Sequence, residues 1–184
     1  MTEPHALGPM PTGWRMTTVD ERLVRAPLDV IFRLAAEVEH WPVHLPHYRY
    51  VRFHDRRADG GGLVAMSANR PFGVLRWPTW WTSLMSVTEP GAPRPAIRFR
   101  HVGGVTTGME VEWTFDVREP AATLVRIVHV WNGPPWPLIG SLAARGIIGP
   151  VFVHGIAWRT LAGLAHAAER SAASSISTKA ESSD

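Results

Sequence analysis

Cysteine is absent from the 184 residues and lysine nearly so, since of 19 basic residues only Lys179 is not an arginine. Without thiols there can be no disulfide framework, thiolate zinc site, iron–sulfur cluster or cysteine nucleophile. Charge is sparse as well, at 19 % of residues and a formal net charge of +3. The arginines are scattered from Arg15 to Arg170 among 16 acids rather than gathered along one stripe, which argues against a nucleic-acid surface. Long apolar runs are missing too. The uncharged stretch Gly146 to Trp158 falls well short of the roughly 20 residues that a membrane-spanning helix needs. The opening MTEPHALGPMPTGW has no apolar core of the secretory kind, so the expected location is the cytoplasm.

What remains is a chain with 45 % hydrophobic residues, enough for a sizeable core, and a length suited to one domain. Residues 1–15, rich in Pro and Gly, read as a flexible leader. Residues 171–184 are small and polar and read as a disordered tail, which leaves 16–170 as the folded domain.

Within 16–170, MTTVDERLVRAP reads as a strand ended by Pro27. LDVIFRLAAEVEHW follows with Val30, Ile31, Leu34, Ala35 and Val38 at helical spacing, and Trp41-Pro42 is expected to stop it. A short helix or turn over WPVHLPHY leads into six strands, YRYVRFHD, GLVAMSANR, WWTSLMSVTE, AIRFRHV, GMEVEWTFDV and TLVRIVHVW, divided by Gly- and Pro-rich turns. From Trp136 a long helical region, divided at Gly149-Pro150, carries Ile156, Thr160, Leu161, Leu164 and Ala168 on one face and closes at Glu169-Arg170.

The strands also declare their faces. Met109, Val111, Trp113 and Phe115 alternate with Glu110, Glu112, Thr114 and Asp116, while Ile97, Phe99 and His101 alternate with Arg98 and Arg100. The last strand puts Val125, Ile127, His129 and Trp131 inside. Hairpin pairing then sets His101 opposite Met109, Met109 opposite Trp131, and Val111 opposite His129, so the two histidines flank one interior space. Trp80 and Trp81 must face opposite sides, and phase with Ser83 and Met85 puts Trp81 inside.

The segment APLDVIFRLAAEVEHWPVHLPHY is similar to the N-terminal pattern of the START-like, or SRPBCC, superfamily, with Trp41-Pro42 as its best marker. EVEWTFDV and FVHGIAWRTLAGLAHAAE resemble the last strands and helix of its polyketide cyclase/dehydrase and coenzyme Q-binding group. The resemblance implies an α+β helix-grip fold: a seven-stranded curved antiparallel sheet around a long C-terminal helix, with two short helices after the first strand. It also implies an internal cavity for a hydrophobic small molecule. Aromatase/cyclases of this family place an arginine, a serine and a tyrosine in that cavity. Tyr48 and Ser83 match the tyrosine and serine, but Met85 stands where the arginine is expected, leaving Arg70 or Arg76 as substitutes from neighbouring positions.

The candidate catalytic residues are therefore His101, His129, Tyr48 and Arg70. The candidate ligand-binding residues are Trp81, Ser83, Met85, Phe99, Met109, Val111, Trp113, Ile127 and Trp131. An imidazole can donate and accept protons near neutral pH, as enol chemistry requires. The plainer reading makes each histidine a hydrogen-bonded core residue. His44 and His47 resemble a metal pair only superficially, and no metal or cofactor is expected. A cofactor-free polyketide cyclase or dehydratase is one implied function; the other is a non-catalytic lipid or quinone carrier or sensor, which the methionine at position 85 favours. The implied partner is a hydrophobic small molecule, with transient membrane-surface contact through 136–158 and a monomeric or homodimeric state as further expectations. A pocket filled by its own side chains is the third possibility.

Overall fold

The computed structural model describes residues 7–72, 75–133 and 154–181. Seven strands form one curved antiparallel sheet: β1 (Met16–Val24), β2 (Tyr48–Arg56), β3 (Gly62–Phe72), β4 (Leu75–Thr88), β5 (Ala96–Gly104), β6 (Glu110–Glu119) and β7 (Ala122–Trp131), in the spatial order β1-β7-β6-β5-β4-β3-β2. Helices α1 (Leu28–Ala36) and α2 (Trp41–His44) follow β1, with a 3-10 turn (Val38–His40) between them, and α3 (His154–Glu181) ends the chain's regular structure. This is the helix-grip arrangement that the sequence implied.

The concave face holds the core. From β1 to β7 the inward residues run in register: Met16 lies opposite Trp131, Asp20 opposite Ile127 and Val24 opposite Thr123. Leu161, Leu164, Ala165 and Ala168 bring α3 onto this surface at helical spacing and are fully buried. Ile31, Phe32 and Ala35 do the same for α1, with the Phe32 ring 5.0 Å from Phe115. Gly163 lets α3 come close to α2, since a Cβ there would strike Leu45 Cδ2.

Four expectations change. The helix over 28–41 is not continuous: it stops at Ala36, and Trp41-Pro42 begins α2 instead of ending α1, because proline needs no amide donor in a first turn. Strand β4 starts before Pro78 rather than after it. There β4 is paired with β3 alone, since its pairing with β5 begins only at Trp81, so the missing proline N–H leaves no ladder bond unmade on that side. Helix α3 runs past Arg170 to Glu181, with no Gly or Pro to stop it and with Ser174 and Ser175 hydroxyls donating to the carbonyls of Arg170 and Ser171. Residues 171–181 of the expected tail are thus helical.

The fourth concerns the polar face of β5 and β6, which alternation alone makes solvent-facing. Arg98 and Glu110 on that outer face are 9 % and 4 % exposed. Leu7 and Gly8 lie across them, their carbonyls accepting from Arg98 Nη1, while Arg98 Nη2 donates to Glu110 Oε2 at 2.7 Å and Arg100 Nε to Glu110 Oε1 at 2.6 Å. Leu7 is itself buried. The leader is therefore tied down at this point. The division at Gly149-Pro150, and the rest of 134–153, lie outside the described residues.

Candidate functional site

Between the concave sheet and the start of α3 is a cavity. Its described walls come from every layer of the fold: Trp41 of α2, Tyr48 of β2, Met66 of β3, Trp81 of β4, Phe99 and His101 of β5, Met109, Val111 and Trp113 on and before β6, Ile127 and His129 of β7, and Ile156, Ala157 and Thr160 of α3. The empty space between these walls, counted out to open solvent, is about 550 Å³. The centre of a water-sized sphere has about 60 Å³ to occupy, which suits a small ring or one end of a larger molecule.

Aromatic rings define one wall. Trp41 meets Tyr48 edge-on at 5.2 Å and Trp113 at 5.7 Å, and Tyr48 meets Trp81 at 6.2 Å. The Trp41 indole N–H donates to Leu34 O at 3.1 Å, so this ring is fixed from outside the cavity. Flat apolar walls of this kind favour a planar guest.

His101 is held from two sides. Its Nδ1 lies 2.7 Å from Thr106 Oγ1 in the β5–β6 hairpin, and its ring stacks on Trp81 at 5.8 Å and 22°. A β-bulge makes the stacking possible: Ser83 pairs with His101 but Thr82 pairs with Gly103, so Val102 is the extra residue. Gly104, at φ 88°, completes the bend, and a Cβ there would strike Trp80 O. His101 lies opposite Met109, with His101 N–H donating to Met109 O, and Val111 lies opposite His129. Both imidazoles line the cavity.

Ser83, Met85 and Trp131 share the inward face but are not among the cavity walls. Ser83 and Met85 are fully buried, and the Ser83 hydroxyl has no hydrogen-bond partner among the described residues. Trp131 is packed in the core with its indole N–H donating to Thr107 O. The side chain of Arg70 lies outside the described residues, and so do those of Arg76 and Trp77. No arginine or lysine lines the cavity among those that are described.

Trp41, Met66, Ile156, Ala157 and Thr160 are walls that sequence reasoning did not assign. Met66 was within reach, being in phase with the buried Val64 and Ala68. Ile156 and Thr160 were placed on a helix face but not on the cavity. Trp41 follows no strand phase and stood out only as a marker of the family resemblance.

His47 is a further residue of the site's rim. Its Nε2 lies 3.2 Å from Thr160 Oγ1, and its ring packs on Tyr48 at 4.8 Å. Burial, and secondarily the charge of Arg159, lower its pKa from 6.5 to about 4. Among the described residues no cluster of His, Asp or Glu has the makings of a metal site, and no helix is long and apolar enough to cross a membrane.

The family profile for polyketide cyclase / dehydrase and lipid transport matches residues 24–165. The chain belongs to that family. It lies within the START-like, or SRPBCC, superfamily, a hydrophobic-ligand-binding fold. Among solved structures, the Zhui aromatase/cyclase of a Streptomyces species is similar at a TM-score of 0.69 and 18 % identity, over 84 % of this chain and 93 % of that one. A protein of Thermus thermophilus gives 0.66 and 19 %, over 82 % and 94 %. A START superfamily protein of Mycobacterium smegmatis gives 0.59 and 17 %, over 86 % and 98 %. At these identities the likeness establishes the fold alone. A comparison with curated proteins finds no match.

Proposed function

We propose that this family member encloses a planar, ring-containing or polyketide-like molecule and promotes its cyclisation or dehydration without a cofactor, acting in the cytoplasm. The observation that carries this reading is the placing of His101 and His129 on one aromatic-walled cavity, with His101 fixed by Thr106 and Trp81. Holding one conformer of a flexible chain supplies much of the rate in such reactions, and a positioned imidazole moves the proton. The family's association with cyclases and dehydrases is consistent with that chemistry.

The second reading is a carrier or sensor of an apolar ligand. Met85, fully buried where a related cyclase is expected to have its arginine, favours it.

Native mass spectrometry of the gently purified protein, followed by turnover of a poly-β-ketone surrogate, separates the two. A bound guest together with conversion that is lost in His101→Ala or His129→Ala supports catalysis. A bound guest with no conversion supports the carrier.

A further inference from the structure

The two outermost strands of the sheet are finished differently. β2 breaks register with β3 between Tyr48 and Tyr50 and again between Phe53 and Asp55. Arg49, Arg52 and Arg56 are exposed along it, with Arg52 drawn over the Tyr50 ring at 5.5 Å and Arg56 over Phe53 at 5.1 Å. Irregular backbone and charge are the means by which a sheet keeps an edge from accepting another strand. β1 has no such break and no proline. Its nine residues pair with β7 one for one, from Met16 opposite Trp131 to Val24 opposite Thr123, and β7 is its only neighbouring strand among the described residues.

The outward row of β1 is apolar at both ends. Val19 and Leu23 are 44 % and 52 % exposed, and they lie opposite the half-buried Val128 and Leu124 of β7. Between them Glu21 lies opposite Arg126, and the two side chains meet at 3.0 Å. A regular edge strand bearing exposed aliphatic side chains is a surface that invites a further strand.

The spacing of those side chains selects a second copy of the same strand. In a two-fold antiparallel pair each residue meets the one equally far from the axis, and the faces match only when the axis passes through a residue. An axis at Val19 sets Leu23 against Arg15, one at Asp20 sets it against Thr17, and one at Arg22 sets it against Glu21. An axis at Leu23 sets Val19 against Pro27, beyond the strand. With the axis at Glu21, Val19 meets Leu23 of the second copy at two places related by symmetry. Glu21 then faces its own copy with an Arg126 on either side, so the row across the seam reads Arg, Glu, Glu, Arg and its charges cancel.

We propose that the chain forms a two-fold dimer through β1, with Glu21 on the axis and Val19 packed against Leu23 of the second copy. The two sheets become one, with both concave faces on the same side. The edges left at its ends are the two β2 strands, whose register breaks and arginines stop the assembly at two copies. On the concave side the Arg22 guanidinium lies over the Trp158 ring at 5.8 Å and connects the seam to the first turns of α3. The dimer stands apart from the catalytic reading above, and the outcome for one does not decide the other.

A chain without cysteine makes the test direct. Glu21→Cys puts a thiol opposite its own copy, whereas Val19→Cys or Leu23→Cys alone puts it opposite an aliphatic side chain. Under mild oxidation of the full chain, Glu21→Cys should form a covalent dimer about tenfold faster than either of the others alone, because a disulfide needs its two Cβ atoms close together. A mixture of Val19→Cys and Leu23→Cys chains should cross-link mainly between the two kinds. In analytical ultracentrifugation the mass of the unmodified chain should rise with concentration toward twice that of one chain. Val19→Lys combined with Leu23→Lys should hold it at one chain, with an unchanged circular dichroism spectrum. A single-chain mass for the unmodified protein at every concentration overturns the proposal. So does a dimer that survives the two lysines, or a Glu21→Cys chain that cross-links no faster than Val19→Cys. Should the lysine variant not fold, the cysteine series and the mass of the unmodified chain still decide.

Discussion

His47 Nε2 meets Thr160 Oγ1 at 3.2 Å and thereby links the residue preceding β2 to the first turns of α3, across the rim of the cavity. The contact needs no charge, and the folded protein keeps this imidazole neutral down to about pH 4.

A pH dependence of stability follows. The unfolded chain protonates His47 below about 6.5, whereas the folded chain does so only near 4. Between those values the unfolded state binds more protons, so the contribution is complete above 6.5 and is lost as pH falls toward 4. His47→Gln, which keeps a hydrogen-bonding group that does not titrate, should flatten the melting-temperature profile across this window. An unchanged slope would contradict the assignment.

Removal of either cavity imidazole should reduce turnover more than binding. Acid–base groups are worth about 10²- to 10⁴-fold in rate. His101→Ala and His129→Ala should each fall by about that factor in kcat, with guest retention in native mass spectrometry reduced far less. Parallel loss of binding and rate would make the rings structural.

Ala157, on the first turns of α3, lines the cavity with a single methyl group. Ala157→Leu should fill the space from the helix side, keep or raise thermal stability by up to about 2 kcal/mol as cavity filling does, and weaken guest binding at least tenfold. Calorimetric titration beside thermal unfolding checks both. Undiminished affinity would place the guest elsewhere.

The outer-face cluster makes a sharper energetic prediction. Arg98→Met leaves Glu110 with only Arg100, on a side shielded by Leu7 and Gly8, so it should cost about 3–5 kcal/mol, the range for breaking a buried pair. Arg98→Met combined with Glu110→Leu should recover most of that loss, because no buried charge is then left facing a gap. Chemical denaturation of the single and double variants measures it. A double variant as unstable as the single one would refute the explanation.

The inward faces of β5, β6 and β7 were legible in the sequence because strands wet on one side must alternate, and hairpin lengths then fix which inward residues oppose. That logic set His101 and Val111 in their places relative to Met109 and His129. Alternation identifies a face but not the length of it that stays empty, and for this reason Ser83, Met85 and Trp131 were grouped with Trp81 and Phe99 although they do not line the cavity. Which inward residues border the void depends on how the helices lie over the sheet, a tertiary fact with no local signature. The burial of Arg98 and Glu110 was hidden for the same reason, since it depends on a leader distant in sequence.

The anchoring of Leu7 and Gly8 on the outer wall has a practical result. A purification handle or fluorescent label attached ahead of Leu7 leaves the molecule on the side away from the chamber. Surface immobilisation through that end should leave the guest free to come and go.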